Sequence, residues 1–141
     1  MHPARAFVGD PRTENGYGCY APVIVNSLNR ILKHNQHAKA LTGTKLETLL
    51  DTYVKKGTPV LVWASIEMRQ PSAGTSWTVK DTGEKFTWIR QEHCMVLVGY
   101  DRNNYYFNDP YNSNGIIGYN KYLVETRFEE MGMQSVVVLE S

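Results

Sequence analysis

The apolar residues of this chain change their period near its middle, and that change divides the sequence into a helical part and a sheet part. Over residues 21–33, Val23, Ile24, Leu28, Ile31 and Leu32 recur at helical spacing, with Pro22 tolerated in the first turn. A second helix is signalled by Thr44 as N-cap, by Glu47 three residues on as its capping-box partner, and by Leu46, Leu49, Leu50 and Tyr53 on one side, ending at Gly57. After Gly57 the helical period is lost, and residues 59–66, rich in Val, Ile and Trp, read as a buried strand. Residues 77–80 and 85–89 flank a turn whose Gly83 supplies a positive φ, and residues 93–100 and 104–108 flank another polar turn, so two hairpins are expected. A helix over 121–131 and a strand over 134–139 close the chain, while residues 1–18, with Gly9, Pro11, Asn15, Gly16 and Gly18, read as an entry loop. Helices first and antiparallel strands afterwards make the expected class α+β.

Bulk properties narrow the function. The 141 residues, 42% of them apolar, suffice for one core, so a single domain over 1–141 is expected. The net charge of +1 comes from interleaved acids and bases, a pattern that suggests neither a nucleic-acid groove nor a membrane-binding face. The longest apolar runs, residues 60–64 and 95–98, fall far short of the roughly 20 needed for a membrane span. Residues 1–10 lack the apolar stretch of a secretory signal.

Three residues carry candidate chemistry. His93 opens a strand of otherwise apolar residues and so sits at the rim of the core, where it is either a base of near-neutral pKa or a satisfied core histidine. Asp109 stands where the returning strand stops before Pro110; it either accepts an imidazole N–H and fixes the tautomer or belongs to an ordinary Asp-Pro turn. An ideal hairpin sets Asp109 opposite Val96, on the order of 10 Å along the strand from His93, so the two meet only through strong twist, a bulge or a curled strand end. Cys19 falls at the start of the first helix, where backbone N–H groups and the helix dipole favour a thiolate, although a small apolar packing role suits it equally. The order Cys, His, Asp is that of papain-like peptidases. Cys94 is expected on the opposite face of its strand from His93. His34 and His37 have no third ligand nearby for a metal, no glycine pattern forms a phosphate loop, and Trp63, Trp77 and Trp88 are expected in the sheet core or on a cleft wall.

Several blocks together carry a resemblance: Phe7-Val8-Gly9-Asp10-Pro11, Gly16-Tyr17-Gly18-Cys19-Tyr20-Ala21-Pro22-Val23-Ile24, Leu41-Thr42-Gly43, Gly57-Thr58-Pro59-Val60-Leu61-Val62-Trp63, Glu92-His93-Cys94-Met95-Val96-Leu97-Val98-Gly99-Tyr100 and Phe107-Asn108-Asp109-Pro110. In this order they resemble the bacterial C-39-like peptidases, relatives of the enzymes that cleave bacteriocin leaders, over nearly the whole chain. The resemblance implies a papain-like fold, a Cys-His-Asp mechanism on a peptide or protein substrate, and no cofactor; His93 and Asp109 match the family's base and third member. It implies an extracytoplasmic setting for many members. The family's nucleophile lies in an earlier helix, before the counterpart of Phe7, so the resemblance implies a domain incomplete at its N-terminus. Three expectations stand side by side: a fragment inactive alone, a catalytically silent peptide-binding module, or a peptidase in which Cys19 has become the nucleophile.

Overall fold

The computed structural model describes residues 1–13 and 16–140, so Asn15 of the expected entry loop lies outside the described residues. The chain runs through α1 (Ala21–Ile31), β1 (Gln36–Ala40), α2 (Leu46–Thr52), β2 (Val60–Ser65), β3 (Ser72–Thr78), β4 (Lys85–Arg90), β5 (Glu92–Tyr100), β6 (Asn104–Asp109), β7 (Gly115–Asn120), α3 (Lys121–Glu130) and β8 (Ser135–Glu140). Six strands form one antiparallel sheet in the order β1-β8-β2-β5-β6-β7, and β3 with β4 makes a separate hairpin.

The alternation of side chains along β2 builds the core on both faces. Val60, Val62 and Ala64 point to the face covered by α2 and α3, where Leu46, Leu49, Leu50, Val124 and Phe128 pack with Met95, Leu97 and Phe107. Trp63 points the other way, joining Ala38 and Val136 under Ile24, Val25 and Leu28 of α1. Each fully buried large side chain contributes about 1.5–3 kcal/mol by leaving water, so the two faces together supply the main stabilisation.

Local chemistry explains where the elements start. No side chain caps α1; Pro22 removes one orphan donor, and the Ala21 N–H donates to Gln134 Oε1 at 3.0 Å. The expected capping box at Thr44 does not form: α2 has Lys45 at its N-cap without a side-chain bond, ends at Thr52, and gives way to a short 3-10 turn closed by Gly57 at φ 86°. Strands β1 and β7 were not expected. Gln-His-Ala-Lys-Ala shows no apolar alternation because β1 is an edge strand, held by β8 on one side and by Asn29 of α1, whose amide accepts from the Ala38 N–H at 2.7 Å and donates to the Ala38 carbonyl at 3.3 Å. The other edge, β7, joins a 3-10 turn, Tyr111–Ser113, to α3, whose N-cap Asn120 accepts from the backbone of Tyr122 and Leu123.

Candidate active site

A single bulge decides whether His93 and Asp109 meet. At the turn end of the β5–β6 hairpin, Tyr100 pairs with Tyr105 and Gly99 with Tyr106; after a register shift, Leu97 pairs with Phe107 and Val96 with Asn108. Without the shift Asp109 would stand opposite Val96, on the wrong face of the sheet. With it, Asp109 comes level with Met95, one residue closer to His93 and on the face His93 shares with Met95.

The result is a short, oriented pair. His93 Nε2 and Asp109 Oδ1 lie 2.6 Å apart, with the carboxylate fully buried and the imidazole 14% exposed. A carboxylate oxygen only accepts, so Nε2 carries the proton and donates. Asp109 Oδ1 also accepts from the Tyr111 N–H at 2.9 Å, and Oδ2 accepts from Asn114 Nδ2 at 3.3 Å. Burial pushes the Asp109 carboxyl up, but the His93 hydrogen bond, the Tyr111 N–H, the His93 charge and Asn114 outweigh it and hold the group below the usual carboxylate range. The Tyr111 ring meets the imidazole edge-on at 5.9 Å. Nδ1 makes no hydrogen bond to a described residue and is the ring's open position.

Cys19 is not brought to this pair. Its carbonyl accepts from Trp63 Nε1 at 3.0 Å, and a Cβ at neighbouring Gly18 would stand 2.7 Å from Glu92 Oε2. Glu92 and Cys94 alternate with His93 along β5, so the Gly18–Cys19 backbone lies against the opposite face of the sheet. Burial first, and then the nearby Glu92, push the Cys19 thiol up to about 11, the reverse of the shift expected for a thiol at a helix N-terminus. Cys94 packs with Trp63 and Ile89 on that same face, and burial raises its thiol further still. Glu92, whose charge raises both thiols, is itself raised by burial to about 7, with Trp63 opposing.

Sequence reasoning missed Tyr111, Asn114 and Tyr119. The signal for Tyr111 is Asp-Pro-X, in which an aspartate accepts from the N–H two residues on. Asn114 carried no signal, because its role depends on the 3-10 turn. The Tyr119 hydroxyl is buried without a partner among the described residues and feels the charge of Asp109. Trp63 and Trp88 are buried, while Trp77 Nε1 donates to the Met1 carbonyl at 2.7 Å and pins the entry segment to the hairpin. Among the described residues no cluster of three or more His, Cys, Asp or Glu could hold a metal ion, and no helix is long and apolar enough to cross a membrane.

Comparison with known proteins gives two positive findings. A family model described as "Peptidase_C39 like family" matches residues 1–136. The fold is similar, with a TM-score of 0.83 and 27% sequence identity, to the crystal structure of a candidate C-39-like peptidase from Bacillus anthracis; the likeness covers 100% of this chain and 70% of that one. No curated protein matches the chain.

Proposed function

The chain belongs to the Peptidase_C39 like family and is a peptidase-like domain, and from that premise we propose that it serves peptide-bond hydrolysis by a thiol mechanism with His93 as base and Asp109 as its orienter. The observation that carries the reading is the 2.6 Å bond from Nε2 to a buried carboxylate, which leaves Nδ1 open. In the reaction a thiol gives its proton to Nδ1 and the sulfur attacks the amide carbonyl. The imidazolium, stabilised by Asp109, returns the proton to the leaving amine, and water then releases the acyl group.

On this reading the thiol is not Cys19. Burial and the nearby Glu92 push its thiol up to about 11, against the thiolate that attack on a carbonyl requires. Cys94 is on the same unfavourable face. On this reading the described residues present His93 Nδ1 to a thiol that neither Cys19 nor Cys94 supplies, and by themselves hold peptide without cleaving it.

Iodoacetamide labelling near neutral pH tests this. Slow labelling of both cysteines, at rates unchanged by His93→Ala, is the expected result. Fast labelling of Cys19 that slows in His93→Ala would make Cys19 the nucleophile and sink the assignment. The imidazole of His93, followed by ¹⁵N NMR, is expected in the Nε2-protonated tautomer; a dominant Nδ1–H form would overturn the role given to Asp109.

A further inference from the structure

Arg90, the last residue of β4, is exposed, and its guanidinium makes no hydrogen bond or ion pair with a described residue. It stands at a cleft of about 320 Å³ between the entry loop and the β3–β4 hairpin. The walls are aromatic and fixed. Tyr17 meets Trp88 edge-on at 5.6 Å and Trp77 at 5.5 Å, and its hydroxyl donates to Thr75 Oγ1 at 3.3 Å, tying the loop to the hairpin across the opening.

Backbone shape keeps the cleft open. The register of β3 against β4 shifts between Ala73 and Ser76, placing Gly74 at the cleft. A Cβ at Gly74 would come within 3.0 Å of both the Trp88 carbonyl and Arg90 Cγ, so any side chain there would displace the arginine stem. At the far end lies Gln91, at φ 76°, whose carbonyl accepts from the Ile66 N–H at 2.8 Å. Gln91 joins the cleft to β5, the strand that carries His93.

Resting on the peptidase reading, we propose that this cleft is a specificity subsite for an internal glutamate of the substrate peptide. The methylene stem lies against Tyr17 and Trp88, and the carboxylate pairs with the unengaged Arg90 guanidinium, whose planar fork suits a bidentate carboxylate. Tyr17 and Arg90 are positioning residues for substrate; they take no part in proton transfer.

The test is binding, which needs no thiol. Isothermal titration calorimetry of the 141-residue chain would compare the acetylated, amidated hexapeptide Gly-Gly-Leu-Glu-Gly-Gly with its Gln analogue, both lacking terminal charge. The Glu peptide is expected to bind about tenfold more tightly, the value of one charge-assisted contact. Arg90→Gln should bring the two peptides within about twofold of each other, and Arg90→Lys should retain part of the preference. His93→Ala should leave the ratio unchanged. Equal affinities on the native chain, no binding of either peptide, or a preference that survives Arg90→Gln would each overturn the subsite. Failure of the thiol reading shows in labelling and in the His93 tautomer, neither of which moves this ratio, so the two outcomes are separable.

Discussion

Replacing Asp109 by alanine removes the acceptor of two short hydrogen bonds, from His93 Nε2 at 2.6 Å and from the Tyr111 N–H at 2.9 Å. A third, from Asn114 at 3.3 Å, is long enough to be exchanged for water. Each buried donor left without a partner costs about 1–3 kcal/mol, and relief from burying a carboxylate offsets part of that, so a net loss of about 3 kcal/mol is expected. At about 3 °C per kcal/mol for a chain of this length, the melting temperature should fall by about 10 °C at pH 7. Asp109→Asn keeps an oxygen at the Oδ1 position but loses the charge and turns its NH2 toward Asn114 Nδ2, so its loss should be about 1 kcal/mol. The pH dependence has a fixed sign. The native Asp109 carboxyl is held below its ordinary value, so its contribution is fully present above the unfolded pKa near 4 and disappears as pH falls through the native one. The gap between native protein and Asp109→Asn should therefore be widest near neutrality and should close in acid. Thermal unfolding followed by circular dichroism from pH 3 to 8 measures both quantities. A drop of less than about 2 °C for Asp109→Ala, the range of an ordinary surface change, or a gap that widens on acidification, would refute the pairing.

Other substitutions test the frame around the site. Glu92 is raised to about 7 by burial, so the native state binds its proton more tightly than the unfolded chain, and stability is lost as pH rises from about 4.5 to 7; Glu92→Gln should remove that loss and be more stable at pH 8 by on the order of 1–3 kcal/mol, read from melting temperature against pH. Gly118 lies under the Tyr106 ring, where a Cβ would stand 2.6 Å from Tyr106 Cε1; Gly118→Val should cost about 1–3 kcal/mol in urea unfolding, and a neutral result would mean that the ring moves freely. Asn29→Ala leaves the Ala38 N–H and carbonyl without their side-chain partner, with an expected cost of about 2 kcal/mol and faster hydrogen exchange confined to β1.

The helix α1, the strands β5, β6 and β8, and the hairpin turn at Gly83 were legible because burial on one face imposes a period on the sequence, and β2 because burial on both faces makes it a continuous apolar run; α3 was expected too, although its only buried residues are Val124 and Phe128. The edge strands were not, since β1 and β7 bury little and are fixed by neighbours distant in sequence, Asn29 for the one and β6 for the other. Thr44 and Glu47 spelled a capping box that the chain does not use, because the first helical residue is Leu46. His93 and Asp109 could be singled out as candidates, but whether they met could not be read: Val-Gly at residues 98–99 carries no sign distinguishing a regular ladder from the bulge that turns Asp109 to the other face. For Cys19 the two alternatives pointed in opposite directions, and its burial matches the packing one. A helix start alone suggested a lowered thiol pKa, whereas tertiary burial and Glu92 set the opposite sign.

Backbone strain gathers around the His93–Asp109 pair. Of five described non-glycine residues with positive φ, Glu67, Met68 and Gln91 lie where β2 leaves the sheet and β5 enters it, and Ser113 ends the turn that supplies Tyr111 and Asn114; only Met133 is remote. Such conformations cost on the order of 1 kcal/mol each and persist only where surrounding contacts over-determine them. Here those contacts are identifiable: the Ile66 N–H donates to the Gln91 carbonyl at 2.8 Å, and Arg127 Nε of α3 donates to the Met68 carbonyl at 2.9 Å. The second of these bonds reaches from α3 to the turn that follows β2, so the helix that covers the core also holds the backbone where β2 leaves the sheet. A site whose orientation depends on a 2.6 Å bond needs such a frame, since a rotation of β5 by one residue's pleat would carry His93 to the face occupied by Cys19 and Cys94. Residues 67, 68 and 91 thus border the β2–β5 pairing in which Ala64 stands opposite His93, and α3 holds one of them, Met68, through Arg127.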